Sequence, residues 1–97
     1  MLEVRLVENF VEWLEELDKP TRVRIVARLS KLSRGLWGDR KSVGGSVIEL
    51  REHFGSGYRI YVTERGTTLV VVLAGGDKSS QSDDIARAME LAANVKE

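Results

Sequence analysis

The chain has 97 residues, of which 42% are hydrophobic and 31% charged, and its formal net charge is zero. This length and composition predict one globular domain over residues 1–97. The absence of cysteine excludes disulfides and thiolate zinc sites, and neither a metal nor another cofactor is expected. The N-terminus lacks the basic and apolar regions of a signal peptide, and every apolar run is far shorter than the ~20 residues of a membrane-spanning helix. We therefore expect a cytoplasmic protein without a membrane partner.

Charge is distributed unevenly along the chain. Residues 1–18 carry six acids and one base, whereas residues 19–41 carry eight bases and one acid. A concentrated basic segment suggests an anionic partner. The alternative is that a basic helix simply faces an acidic helix and water, and the sequence alone leaves both interpretations open.

The first half of the chain predicts a short strand followed by two amphipathic helices. Residues 2–6 alternate apolar and charged side chains, as a half-buried strand does. Apolar residues then recur at helical spacing over residues 7–17 and again over residues 25–36. Pro20 suits the first turn of the second helix, and Gly35 is typical of a helix C-terminus. Because the connection between the helices is short, they are expected to form an antiparallel hairpin.

The second half predicts a sheet and a third helix. Residues 35–46 are rich in glycine and match no phosphate-binding fingerprint, so their turn chemistry predicts a loop. Three strand patterns follow, over residues 47–51, 58–63 and 69–74, and the last is continuously apolar, as is typical of a strand covered on both faces. Residues 85–92 have helical periodicity. The prediction is an α+β fold in which the helical hairpin packs on an antiparallel sheet of about four strands, with a C-terminal helix.

Three cations, Arg51, Arg59 and Lys78, lie at or just beyond the ends of the three later strand segments. The two-residue period of a strand places a second set of side chains opposite the apolar face, and we expect that set to point away from the helices: Glu49, Arg51, Arg59 and Tyr61. Arginine stays charged and binds phosphate oxygens bidentately, and an exposed tyrosine such as Tyr61 stacks on bases. The sequence therefore predicts a phosphate site that binds RNA.

The same residues suggest a cleavage chemistry. RNA is cut when its 2′-hydroxyl attacks the neighbouring phosphate, which requires a base, stabilisation of the phosphate charge and an acid. Arg51, Arg59 and Lys78 are the predicted stabilising cations. Histidine is the side chain that titrates near neutral pH, and the one histidine, His53, is the predicted proton-transfer residue, with Glu49 as a second possible base. The alternatives are that Glu49 pairs with the arginines across the strands and that His53 is a solvated loop residue.

The order and spacing of several short motifs resemble those of a known family. The matching runs are Gly38-Asp39-x-Lys41-x-Val43-Gly44, Val47-x-Glu49-Leu50-Arg51, Gly55-x-Gly57-Tyr58-Arg59-x-Tyr61 and Leu73-x-Gly75-Gly76-Asp77-Lys78. Two N-terminal runs, Phe10-x-x-Trp13-Leu14 and Ile25-x-x-Arg28-Leu29-x-x-Leu32, match as well. In order and spacing the series extends over nearly the whole chain and resembles the addiction-module killer proteins of the RelE/HigB toxin superfamily.

The resemblance implies a toxin of a type II toxin-antitoxin system. It implies an endoribonuclease that cleaves mRNA on the ribosome. It also implies a cognate helix-turn-helix antitoxin of the HigA type that neutralises the toxin. The toxin-antitoxin complex would contact operator DNA only through the antitoxin. By position, Arg59 matches the family's catalytic arginine. Lys78 falls near a second functional cation, and Arg51 matches an arginine that follows the strand leucine.

Other functions stay open at this level. RelE-type toxins carry lysines on the strand before the Gly-Tyr-Arg segment, where this chain has Val47 and Glu49. The related ParE toxins share the fold and act on DNA gyrase, and an inactive remnant that only binds an antitoxin is a further alternative. Both N-terminal helices are candidate antitoxin surfaces. We also expect Arg24 and Arg28 of the basic helix to contact ribosomal RNA.

Overall fold

A computed structural model describes residues 1–95 of the chain. Its elements are β1 (Glu3–Leu6), α1 (Glu8–Glu15), α2 (Lys19–Ser33), β2 (Arg40–Gly44), β3 (Val47–Arg51), β4 (Arg59–Arg65), β5 (Leu69–Gly76), a short 3₁₀ helix (Lys78–Ser80) and α3 (Gln81–Asn94). The strands form one sheet in the order β1-β5-β4-β3-β2. The α+β class, the two helices before the sheet and the C-terminal helix are confirmed.

The sheet differs from the prediction in two ways, since it has five strands and is mixed. β2, β3, β4 and β5 form the expected antiparallel meander. β1, however, pairs parallel to β5, with Val4 opposite Val70. The sequence pattern of a half-buried strand carries no information on its partner or direction, so the prediction of a purely antiparallel sheet was wrong for this strand.

The fifth strand, β2, lies in the segment that was predicted to be a loop. Residues 40–44 pair antiparallel with β3, so that Lys41 lies opposite Glu49, and the register shifts between Ser42 and Gly44. Almost all of β2 is exposed, because it forms an edge of the sheet. Without a buried face it shows no apolar alternation, and backbone hydrogen bonds to β3 make it a strand.

The sheet separates two hydrophobic layers. One face packs against α1 and α2 through a cluster that includes Phe10, Ile25, Leu29, Leu32, Leu50, Ile60 and Val62. The opposite face is covered by α3, and that cluster includes Val47, Tyr61, Val71, Leu73, Ala88 and Ala92. β5 is buried along nearly its whole length, which confirms the interpretation of its continuous apolar run as a strand covered on both faces.

The ends of α2 follow from local chemistry. The Asp18 side chain accepts a hydrogen bond from the backbone N–H of Thr21 at 3.3 Å, and Pro20 stands in the first turn, where its missing N–H has no cost. At the other end Gly35 has a φ of +80°, and its N–H donates to the carbonyl of Leu32, as in a glycine C-cap. Within residues 1–95, no helix is long and apolar enough to cross a bilayer.

Candidate functional site

The ends of three strands meet at one end of the sheet. The register places Arg51, the last residue of β3, opposite Arg59, the first residue of β4, and Arg59 lies opposite Gly76 at the end of β5. Lys78 follows two residues later, and its backbone N–H donates to the carbonyl of Ser56 at 3.4 Å. The meander therefore carries Arg51, Arg59 and Lys78 to the same end of the sheet.

Gly57 lies between two of these cations. Its φ of +78° belongs to the region that favours glycine. A Cβ at this position would lie 3.5 Å from Nη1 of Arg59 and 3.5 Å from Cβ of Lys78, and the Gly57 carbonyl accepts a hydrogen bond from Arg59 Nη1 at 3.1 Å. Contacts of 3.5 Å are ordinary, so the positive φ rather than a lack of space favours glycine here, and Arg59 and Lys78 both lie beside Gly57.

Arg59 is held from the inside by a buried carboxylate. Its Nε lies 3.7 Å from Oε2 of Glu49, and the two side chains are 11% and 1% exposed. The same Nε is buried without a hydrogen-bond partner among the described residues. Glu49 therefore supplies the counter-charge that a buried guanidinium needs. The cross-strand pairing of these two residues, one of the alternatives open from the sequence, is present.

Glu49 also ties α3 to the sheet. Its Oε2 accepts hydrogen bonds from Nε2 of Gln81 at 2.8 Å, at the first residue of α3, and from the Tyr61 hydroxyl at 3.3 Å. Both hydrogen bonds end on one oxygen of a side chain that is 1% exposed, so burial closes this carboxylate off from a substrate hydroxyl. Glu49 is better described as a positioning residue for Arg59 than as the second base that the sequence suggested.

The expectation that this face of the sheet points away from the helices is corrected by α3. Tyr61 is fully buried beneath α3, so its ring offers no surface on which a base can stack. Burial, together with the neighbouring Glu49 carboxylate, raises the pKa of Tyr61. Tyr61 therefore remains a neutral hydrogen-bond donor. The two-residue strand period was correct, but it does not tell which further element covers the second face.

A second cluster joins Arg51 to His53 through Asp39. Oδ1 of Asp39 accepts from Nη2 and Nε of Arg51 at 2.9 and 3.3 Å, and Oδ2 lies 2.5 Å from Nε2 of His53. The hydrogen bonds from His53 and then Arg51 hold the pKa of Asp39 below its ordinary value. An ionised carboxylate only accepts hydrogen bonds, so Nε2 of His53 is the donor in this contact. No role for Asp39 was apparent from the sequence, because Asp39 lies 14 residues from His53 along the chain.

Arg28 supports this cluster from within the fold. Its guanidinium donates to the carbonyls of Arg51, Trp37 and Asp39 at 2.8 to 2.9 Å and pairs with Glu52. The side chain is buried, and these acceptors use most of its donors. The expectation that Arg28 contacts ribosomal RNA is therefore corrected. Arg28 lies among other basic residues in the sequence, and its position on the buried side of α2 was not apparent from that spacing.

Arg24 is exposed, in contrast to Arg28, one helical turn away. Its guanidinium carbon lies 4.6 Å from the ring centroid of Phe54, a cation–π distance. Arg24 therefore stays available at the surface of α2, with its side chain held in one direction by the aromatic ring.

The arrangement suits the binding of a phosphate group beside a basic nitrogen. Arg51, Arg59 and Lys78 lie at one end of the sheet. Arg51 and Arg59 are paired with Asp39 and Glu49, and a guanidinium paired in this way still has further N–H donors for the oxygens of a phosphodiester. The His53 side chain is 72% exposed and shares the Asp39 carboxylate with Arg51. Attack by a neighbouring hydroxyl on phosphorus requires both stabilisation of the phosphate charge and a base.

The fold matches that of a solved toxin. The chain superposes on the structure of a double arginine-to-alanine mutant of E. coli toxin RelE in the free state, with a TM-score of 0.76 over 93% of this chain and 96% of that chain, at 16% sequence identity. This similarity defines the fold as RelE-like.

The family is more specific than the fold. Residues 12–97 match the model of the phage-derived Gp49-like proteins, and the chain belongs to this family of the RelE-like toxin superfamily. An uncharacterised protein of Haemophilus influenzae is 39% identical over 92 residues, which cover 94% of this chain and 93% of that protein. The resemblance inferred from the sequence motifs is thus confirmed at the level of the superfamily.

Proposed function

We propose that this chain is the toxin of a type II toxin-antitoxin system and acts as an endoribonuclease on mRNA in the ribosome. The observation that carries the proposal is the guanidinium of Arg59, which Glu49 and the Gly57 carbonyl hold at the strand end shared with Arg51 and Lys78. Membership of the Gp49-like family supports a toxin. Ribosomes and mRNA are the proposed partners, and the cytoplasm is the proposed place of action.

The proposed mechanism assigns one task to each part of the site. Arg59, with Arg51 and Lys78, binds the scissile phosphate and stabilises the charge that grows on its oxygens during attack. Nδ1 of His53 accepts the proton of the 2′-hydroxyl, while Asp39 holds Nε2–H and so fixes the ring. The 2′-oxygen then attacks phosphorus as the bond to the 5′-oxygen breaks. The departing 5′-oxygen takes up a proton from solvent, which yields a 2′,3′-cyclic phosphate and a 5′-hydroxyl without a cofactor. A well-placed cation of this kind accounts for a ~10²–10³-fold rate effect.

Inducible expression followed by mapping of RNA ends tests this proposal. The wild-type chain is expected to stop growth and to produce new mRNA ends within translated regions. Arg59→Ala is expected to abolish both effects, but it leaves the buried Glu49 carboxylate without its counter-charge, so circular dichroism must show that the variant is folded. Arg59→Lys keeps a positive charge beside Glu49 and loses the bidentate guanidinium, so it is expected to stay folded and to lose most of both effects. Arg5→Ala is the matched control, because Arg5 lies on β1 and its ion pair is with an exposed glutamate of the same strand. A toxic Arg59→Ala variant would refute the role of Arg59.

A cognate antitoxin is the second part of the proposal. We infer that it is a small helix-turn-helix protein of the HigA type, encoded next to this chain, and that the complex contacts operator DNA through the antitoxin. Co-expression with the product of the adjacent reading frame is expected to restore growth. Continued growth arrest in the presence of that product would exclude it as the antitoxin.

Inhibition of DNA gyrase is the second candidate function. It is favoured by Glu49, a buried carboxylate on the strand where RelE-type toxins carry lysines. Induction of a DNA-damage response with intact mRNA would support gyrase over mRNA as the target. Absence of growth arrest, with retained binding of the adjacent gene product, would instead identify an inactive remnant that only holds the antitoxin.

A further inference from the structure

The outward face of α2 carries an exposed apolar stripe. Val23 is 57% and Val26 48% exposed. Ala27 and Ser30 are exposed as well, and spacings of three and four residues place all four side chains on one side of the helix. Valine side chains at this exposure are not explained by packing within the chain, because the buried side of α2 is formed by Ile25, Leu29 and Leu32.

A positively charged pocket borders this stripe. It has a volume of about 210 Å³ and is lined by Arg24, Ala27, Arg28, Lys31 and Glu52. Ala27 belongs to both the stripe and the pocket, so the two features are continuous. Arg28 and Glu52 pair with each other. Within residues 1–95, neither Arg24 nor Lys31 forms an ion pair with a carboxylate, and the pocket therefore keeps an excess of positive charge.

We propose that this surface of α2 binds an acidic amphipathic helix of a protein partner. The apolar residues of that helix would pack on Val23 and Val26, and one of its carboxylates would enter the pocket between Arg24 and Lys31. The charge complementarity is the reason for an acidic partner, since α2 contains five cations and no acid. The stripe from Val23 to Ser30 is about 12 Å long, which matches two turns of a partner helix. The source of the helix, the antitoxin, rests on the proposed function.

The apolar stripe favours a protein over RNA as the occupant. Protein–nucleic acid interfaces are more polar and more positively charged than protein–protein interfaces, and a phosphate backbone offers no surface on which Val23 and Val26 lose their contact with water. An amphipathic helix satisfies both features, because it carries apolar and acidic side chains at helical spacing. The orientation of Arg24 over Phe54 means that one side of the pocket is already arranged for a carboxylate.

The double substitution Val23→Lys/Val26→Lys separates the two occupants. It adds positive charge and removes the apolar stripe, so it should weaken binding of an amphipathic helix and strengthen or leave unchanged the binding of RNA. The matched control is Ala86→Lys/Ala93→Lys, which adds the same charge at two exposed positions of α3. Circular dichroism checks that all variants keep the fold, which is expected because the substituted side chains are exposed.

The experiment measures the affinity of each purified variant for the product of the adjacent reading frame and for isolated ribosomes. Val23→Lys/Val26→Lys should bind the adjacent gene product at least about tenfold more weakly than wild type, with undiminished ribosome binding. Arg24→Glu/Lys31→Glu should weaken the same interaction and reduce its salt dependence. Amide hydrogen exchange in the complex should show protection of residues 23–31.

Two outcomes of these binding measurements would contradict the proposal. Binding of the adjacent gene product at wild-type affinity by both α2 variants would overturn the proposal. So would weakened ribosome binding by Arg24→Glu/Lys31→Glu with unchanged binding of the gene product, because that outcome assigns the surface to RNA. If the wild-type chain itself does not bind the adjacent gene product, the proposed toxin-antitoxin function is wrong. If wild type and the α2 variants all bind it with the same affinity, the proposed role of the α2 surface is wrong.

Discussion

Replacement of Glu49 by alanine is expected to destabilise the fold by about 3 to 5 kcal/mol, the range for removal of one partner from a buried ion pair. Glu49 is almost completely buried, and Arg59 is nearly so. The substitution leaves the guanidinium without a counter-charge and also removes the acceptor for Tyr61 and Gln81. Since a domain of this size has a total stability of about 5 to 15 kcal/mol, the variant should be close to the limit of stable folding.

Urea and thermal unfolding followed by circular dichroism measure this effect. At roughly 4–8 °C per kcal/mol for a domain of this length, the melting temperature should fall by at least about 12 °C. Glu49→Gln keeps the shape and an acceptor oxygen, so its loss should be smaller than that of Glu49→Ala. Lys41→Ala is the control on the adjacent strand, since Lys41 lies opposite Glu49 in the register and is exposed, and it should change stability by less than about 0.5 kcal/mol.

A double-mutant cycle of Glu49→Gln with Arg59→Gln isolates the pair itself. Neighbouring charges in one network couple by about 0.5 to 3 kcal/mol, and the double variant should be more stable than the sum of the single losses indicates. A loss below about 1 kcal/mol for Glu49→Ala, the typical effect of an unremarkable substitution, would refute the positioning role of Glu49. Zero coupling in the cycle would show that Glu49 stabilises the fold without acting on Arg59.

Two further predictions concern the second cluster. Arg28→Ala should lower the free energy of unfolding by about 3 to 5 kcal/mol, because it removes a buried charge that donates to three carbonyls. Arg24→Ala should lower it by about 1 kcal/mol or less. Equal losses for the two variants in urea unfolding would contradict the buried position of Arg28 and the exposed position of Arg24. Because the pKa of Asp39 is lowered in the folded state, its ionised carboxylate stabilises the fold at every pH above the ordinary carboxyl pKa. This stabilisation is lost as the pH falls through the lowered pKa. Urea unfolding between neutral and acidic pH should therefore show that Asp39→Asn loses this part of the pH dependence, and an unchanged profile in that variant would show that Asp39 is not held by Arg51 and His53.

The parts of the fold with a buried face were predictable from the sequence. The continuous apolar run of residues 69–74 indicated a strand covered on both faces, and β5 is such a strand. β2 could not be predicted in the same way, because an exposed edge strand needs only backbone hydrogen bonds to a neighbour. The parallel pairing of β1 was likewise invisible, since strand direction depends on the path of the whole chain.

The cationic residues of the candidate site could be selected from the sequence, whereas the carboxylates that position them could not. Arg51, Arg59 and Lys78 stood out because they recur at strand ends. The burial of Glu49 was not apparent, since a glutamate on a two-residue period looks like a solvent-facing residue until a helix covers it. Asp39 became visible only when the fold brought it to Arg51. Carboxylates that position a cation give no local sequence signal, because their partners are distant along the chain.

Cleavage of mRNA by the purified chain on programmed ribosomes tests the central claim most directly. Primer extension on a defined mRNA, with wild type, Arg59→Ala and Arg5→Ala compared, reports both the activity and the residue responsible. New mRNA ends are expected with wild type and with Arg5→Ala, and none with folded Arg59→Ala. Intact mRNA with the wild-type chain, or equal cleavage by Arg59→Ala, would contradict it.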